Sequence, residues 1–252
     1  MPVRVRKDHI TIVLHKPKYP GNIGSVARCA KNMGVDRIIA VEPADFDRQK
    51  MLQAATHFAA ETVDRIRCFD NLAAALSEFG YIVGTTSRLG GARQPEFHPH
   101  SLAEALIDLS QHNEIALLFG PEDFGLTNDE LKYCHSVATI PTSDAFKSVN
   151  LSHAVMIICY EIFIAGDNEH RLFTPKLATS GELEGMYDQL KEVLTNIGFI
   201  NPENPEIRMM NVRRFLSRFR LYAKEVQIIR GICRQIEWYG RNHGKFVLPF
   251  KR

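Results

Sequence analysis

Ile115-Ala116-Leu117-Leu118-Phe119-Gly120-Pro121-Glu122-Asp123-Phe124-Gly125-Leu126-Thr127 joins an unbroken apolar run to a glycine, an acidic turn and a helix-capping threonine. A short, wholly apolar run closed by glycine predicts a strand buried on both faces, as in parallel sheets covered by helices. Thr127-Asn128-Asp129-Glu130 has capping-box spacing, so a helix is expected from there to about Cys134. Gly120 and Gly125 leave room for another backbone or a ligand to come close.

The same succession recurs on either side. Apolar runs of strand character fall at 10–15, 36–42, 65–69, 81–86, 114–120 and 135–141, with helical patterns between them. That alternation predicts an α/β domain built on a parallel sheet. Helices are expected over 22–33 and 71–79, with Gly34 and Gly80 as C-cap glycines. The apolar stretch from Ala154 to Ala165 contains Glu161 and is too short to span a bilayer, so a buried helix is expected.

The periodicity lapses in the polar, proline-containing stretch 166–181, which reads as a connector after a first domain at 1–165. Beyond it, 182–197, 207–223 and 225–240 carry apolar residues at helical spacing, giving a helical extension over 182–252. In 207–223, Val212, Phe215, Leu216, Phe219 and Tyr222 are expected to pack inward.

Charge divides along the same line. Residues 1–207 hold 19 Lys and Arg against 27 Asp and Glu, whereas 208–252 hold 12 against 2. A basic extension beside an acidic domain favours a polyanionic partner, with a merely solvated helix face as the alternative. Arg213, Arg220 and Arg234 are the candidate phosphate contacts.

Five cysteines (29, 68, 134, 159 and 233) are odd in number and form no C-x-x-C pair, so neither a disulfide framework nor a zinc knuckle is expected. His98-Pro99-His100 has ligand-like spacing without partner ligands, and no metal is expected. The charged start Val3-Arg4-Val5-Arg6-Lys7-Asp8 does not read as a signal peptide, which points to the cytoplasm.

Two further segments sit where strands end: Asn22-Ile23-Gly24-Ser25-Val26-Ala27-Arg28, and Ile140-Pro141-Thr142 followed by Ser148-Val149-Asn150-Leu151-Ser152. Taken alone, each has a plain structural explanation. Gly21 to Ser25 can be a tight turn opening a helix, Glu122 can complement a helix N-terminus, and Asn150 can be an N-cap. There is no third glycine of a dinucleotide fingerprint, which disfavours a nicotinamide-dependent oxidoreductase.

In order and content the three segments resemble the motifs of the SPOUT class of RNA ribose 2′-O-methyltransferases. The similarity continues through Leu183, Tyr187, Gly198-Phe199-Ile200, Arg213-Arg214 and Ile229-Arg230-Gly231-Ile232 to the TrmJ-type tRNA methyltransferases. The resemblance implies a SPOUT-type parallel sheet tied in a deep trefoil knot, S-adenosylmethionine as cofactor, a homodimer packed through the knot helices, and tRNA as partner. Its implied target is the pyrimidine ribose at position 32 of the anticodon loop. Another tRNA or rRNA site is the enzymatic alternative, and a non-catalytic RNA-binding protein retaining the knot is the alternative of another class.

By the same resemblance, Thr85, Gly120, Gly125, Ile140, Ser148 and Leu151 match cofactor positions. Arg28 matches the catalytic arginine, with Asn22, Glu122 and Asn150 completing the catalytic set. Arg88 lies in the loop where relatives carry RNA-contacting arginines. Pro121 and Phe124 replace arginines common in relatives, and Arg88-Leu89-Gly90-Gly91-Ala92-Arg93 is unusually glycine-rich, so substrate contacts differ from the family pattern. The resemblance leaves open whether Arg28 serves its own or the partner's site.

Overall fold

The computed structural model describes residues 4–87, 95–165 and 176–243. It divides into two compact units, Met1–Pro175 and Lys176–Arg252.

Unit one alternates strand and helix: β1 (Ile10–His15), α1 (Pro20–Asn32), β2 (Arg37–Val41), α2 (Arg48–Ala55), α3 (Ala60–Asp64), β3 (Arg67–Phe69), α4 (Leu72–Leu76), β4 (Tyr81–Thr85), α5 (Pro99–Leu109), β5 (Ile115–Phe119), α6 (Asn128–Leu131), β6 (Ser136–Ala138) and α7 (Leu151–Ile164). The six strands form one sheet in the order β3-β2-β1-β5-β4-β6, every pairing parallel. All six expected strands are present; β1 has the expected bounds and the other five are trimmed at one or both ends.

β1 and β5 are buried along their whole length, β5 as an unbroken apolar run and β1 with Thr11 and His15 among its apolar residues. Val13, Ile39, Ile82, Leu118, Leu76 and Phe79 form one side of the core with Leu126 from the acidic turn. Full burial of each such side chain contributes about 1.5–3 kcal/mol. On another layer, α1 contacts α2 and α7, and α5 contacts α7. Gly24 is the reason α1 sits so close to α2: a Cβ there would lie 2.0 Å from the carbonyl oxygen of Met51.

Several local expectations are corrected. The helix expected from Thr127 to Cys134 stops at Leu131, because His135 must already donate its backbone N–H to the Ile82 carbonyl at 2.8 Å and align the chain for β6. Its capping box does form, with Glu130 accepting the Thr127 N–H at 2.6 Å. Gly34 takes the left-handed conformation of a C-cap, φ +71°, but Gly80 does not, and instead donates to the Glu114 carbonyl at 3.0 Å. α7 is not a wholly buried helix. Val155, Ile158, Cys159 and Ile162 face inward while Ile157, Tyr160, Phe163 and Ile164 are exposed.

Unit two comprises α8 (Ser180–Asn196), α9 (Pro205–Leu216) and α10 (Ala223–His243). Met186, Tyr187, Ile200, Met209 and Val226 make its core, joined by Ala178. The helical unit therefore begins earlier than 182, since Ala178 is core and Thr179 caps α8 through Glu182. α9 ends at Leu216, so 217–222 is not helix, and Phe215 and Phe219 point outward at 58% and 54% exposure rather than packing inward.

Candidate functional site

The parallel pairing of β1 with β5, in register from Ile10↔Ile115 to Leu14↔Phe119, sends the segments that follow these strands out side by side. Gly84 of β4 sits opposite Leu118, and Thr85 opposite Ala138 of β6, so the ends of β4 and β6 join them. Open α/β sheets collect ligands at this edge, beyond the carboxyl ends of the strands.

A cavity opens there, lined among others by Thr85, Gly120, Gly125, Ile140, Ser148 and Leu151. These are all six positions that the sequence assigned to a cofactor. Phe119, Ala138, Val149 and Ala154 add apolar surface, while Glu122, Ser87 and Lys147 add polar groups.

The glycines shape this wall. Gly125 has φ +63° and its N–H donates to Pro121 O at 2.8 Å, turning the acidic loop back on itself. The returning backbone lies so close that a Cβ on Gly120 would sit 2.4 Å from Leu126 N. Thr85 is fixed by donating its hydroxyl to Leu118 O at 3.1 Å.

Beside the cavity, Glu122 ties three segments together. Its Oε2 accepts the backbone N–H of Lys18 at 3.0 Å and its Oε1 accepts the Asn22 amide at 2.8 Å. Asn22 Oδ1 in turn accepts from the Asn150 amide at 3.3 Å. Asn150 Oδ1 takes the backbone N–H and hydroxyl of Ser152 at 2.9 and 2.8 Å, so the N-cap reading of Asn150 holds alongside its contact with Asn22. Gly21 to Ser25 are not a turn before the helix but lie within α1, which begins at Pro20 with Tyr19 as N-cap.

Arg28 lies on α1, exposed, and is not among the residues lining the cavity. Arg88 falls outside the described residues. In unit two, Arg213 is half-buried, pairs with both oxygens of Glu184, one contact at 2.7 Å, and lies 4.4 Å from the ring centre of Tyr187. Arg220 and Arg234 are exposed, Arg234 on α10.

Sequence reasoning missed His15. It ends β1 at 3% exposure, with Nδ1 3.1 Å from Glu130 and Nε2 3.8 Å from Glu42. Burial holds its pKa below the ordinary 6.5, aided by Lys16 and opposed by Glu130 and Glu42. A histidine closing an otherwise apolar strand was the available signal.

Among the described residues no cluster of His, Cys, Asp and Glu could hold a metal, and no helix is long and apolar enough to cross a membrane. His100 contacts Glu161 and Glu104 instead of forming a site with His98. The five cysteines are free thiols. Cys159 is buried, its pKa pushed up to about 12.

Residues 9–160 match the SpoU rRNA Methylase family, and residues 181–245 match the tRNA methyltransferase TrmJ, C-terminal domain. A tRNA (cytidine/uridine/adenosine-2′-O-)-methyltransferase TrmJ from Pseudomonas aeruginosa is 33% identical over 97% of this chain and 98% of its own. The tRNA (cytidine/uridine-2′-O-)-methyltransferase TrmJ of Pectobacterium atrosepticum is 35% identical over 91% of this chain and 97% of its own. Among solved structures, TrmJ from Z. mobilis superposes with a TM-score of 0.78 at 26% identity, covering 90% of this chain and 98% of that one.

Proposed function

Because the chain belongs to the SpoU rRNA methylase family, we propose that this methyltransferase uses S-adenosylmethionine to methylate the ribose 2′-hydroxyl of a tRNA pyrimidine, at position 32 of the anticodon loop. The observation that carries the reading is the meeting of Thr85, the turn at 119–125 and residues 140–151 in one cavity, with Glu122 of its lining bonded to Asn22 and through it to Asn150. Unit two favours tRNA over rRNA, because 181–245 match a tRNA methyltransferase domain.

S-adenosylmethionine supplies an electrophilic methyl group; the protein's task is to hold donor and hydroxyl in line and accommodate the departing proton. Glu122 is a positioning residue in this scheme. Both its oxygens already accept N–H groups, which leaves it poorly placed to take a proton from the substrate hydroxyl. Asn22 and Asn150 extend the same brace between α1 and α7.

Arg28 is the catalytic residue. Its guanidinium is a fork of N–H donors and no base, so it grips the phosphate beside the target ribose and stabilises charge developing on the 2′ oxygen. The proton leaves to phosphate or water. Arg28 does not line its own chain's cavity, which supports a homodimer in which each Arg28 serves the partner's cofactor. The exposed Ile157, Tyr160 and Phe163 of α7 supply an apolar face for such a dimer. The knot belongs to the same proposal, drawn through the segments 120–127 and 140–150, and is supported by family membership and the sheet order. The basic helices of unit two hold tRNA, and the enzyme acts in the cytoplasm.

Mapping of 2′-O-methylation in RNA from cells lacking the protein tests the reading. Loss of one methyl group at position 32 of tRNA is expected; an unchanged tRNA map together with a lost rRNA methyl group overturns the substrate.

A further inference from the structure

Phe215 in the last turn of α9 and Phe219 in the turn that follows it both face solvent. Phe215 and Phe219 are 58% and 54% exposed, and their rings meet edge to face, centres 5.4 Å apart at 73°. An edge-to-face pair leaves at least one ring face open to a further flat partner. Arg214 and Arg218, on the same turn-to-turn spacing, are exposed and form no ion pair among the described residues. By contrast, neighbouring Arg213 is committed to Glu184.

We propose that Phe215 and Phe219 form a stacking platform for unpaired bases of the RNA, with Arg214 and Arg218 holding the adjoining phosphates. The inference rests on the tRNA reading and specifies which part of the RNA this face takes: single-stranded loop rather than helix. Paired bases are stacked within a duplex and unavailable, whereas splayed loop bases stack on aromatic side chains and arginine planes. A second protein copy is the poorer fit. Residues 208–252 carry 12 Lys and Arg against 2 Asp and Glu, so two such surfaces repel while a polyanion is attracted.

The test compares the full chain with F215L/F219L and R214Q/R218Q, using a labelled anticodon stem-loop with an open loop and a blunt duplex of equal length. Leucine keeps apolar bulk and removes the ring. F215L/F219L is expected to weaken stem-loop binding about tenfold, about 1.4 kcal/mol, with duplex binding and salt slope unchanged. R214Q/R218Q is expected to weaken both RNAs and to lower the salt slope by about one to two. As a variant that keeps an aromatic ring, F219W in a W238F background, which removes the native indole, is expected to show emission quenched by the stem-loop and not by the duplex.

Wild-type affinity for the stem-loop in F215L/F219L, equal losses for both RNAs, absent quenching in F219W, or a changed oligomeric state with unchanged RNA binding each overturns the platform. Wild-type methyl transfer and RNA binding are measured alongside. If the wild type binds and methylates tRNA while the phenylalanine variant behaves like it, only the platform falls; if the wild type does neither, the tRNA reading falls with it.

Discussion

The side-chain amide of Asn22 donates to Oε1 of Glu122 at 2.8 Å, joining residues 100 positions apart in the sequence. The bond exists because β1 and β5 are neighbours in the sheet, and it fastens the start of α1 to the turn that walls the cavity. Glu122→Gln replaces one acceptor oxygen with a donor facing N–H groups, leaving a partly buried donor unmatched. Methyl transfer is expected to fall at least about tenfold for a loss of roughly 1.4 kcal/mol of positioning, with helicity unchanged. Steady-state kinetics and circular dichroism check this, and near-normal turnover would remove Glu122 from the site.

Arg28→Ala should act on chemistry alone. The side chain is exposed, so its removal costs little stability, and cofactor affinity measured by calorimetry is expected to stay near wild type. Methyl transfer should drop about 10²-fold or more, the scale of losing one preorganised electrostatic group. Retained turnover would show that another residue carries this role.

Gly120→Ala tests the wall directly. A Cβ placed 2.4 Å from backbone atoms of Gly125 and Leu126 forces the loop to move, at a cost of about 1–3 kcal/mol for overpacking. A lower melting temperature and weakened S-adenosylmethionine binding are expected together. Melting unchanged from wild type would contradict the observed close approach.

His15 makes a prediction about pH. Its folded pKa is depressed by burial, so as pH falls below 6.5 the unfolded chain takes up a proton that the folded one resists. Stability from this group is therefore present above 6.5 and lost as pH drops toward the folded value. Thermal melts of His15→Gln should show a shallower decline over that window than wild type. Parallel curves would mean that other groups set the acid limb.

Arg213 and Arg234 are expected to separate. Arg213→Gln strands Glu184 and removes the cation above Tyr187, so it should destabilise unit two by on the order of 1 kcal/mol. Arg234→Gln should leave melting unchanged while weakening tRNA binding and lowering its salt slope by about one contact's worth. Melting curves and salt titrations of the two variants provide the comparison; if Arg213→Gln melts like wild type, its pairing is not structural.

The alternation of apolar runs with helical patterns sufficed to place six strands, because burial on both faces of a parallel sheet demands largely apolar sequence in its inner strands and glycine or capping residues mark the ends, while β3 is an exposed edge. Ile115 to Phe119 and the Thr127 capping box were legible for that local reason. The candidate cofactor residues were legible only as a pattern of segments, and their meeting in one cavity was decided by strand order, which local sequence does not encode. The bond from Asn22 to Glu122 and the burial of His15 between Glu130 and Glu42 follow from that order as well. α6 stops early because His135 has a partner in β4, a long-range hydrogen bond that overrides helical propensity. In the basic helices, periodicity sent Phe215 inward, but α9 ends at Leu216 and the ring faces solvent. Apolar spacing determines that a helix has an inner face; only packing decides where the helix stops, which residues that face includes, and which arginine is held by a neighbour instead of left for a ligand.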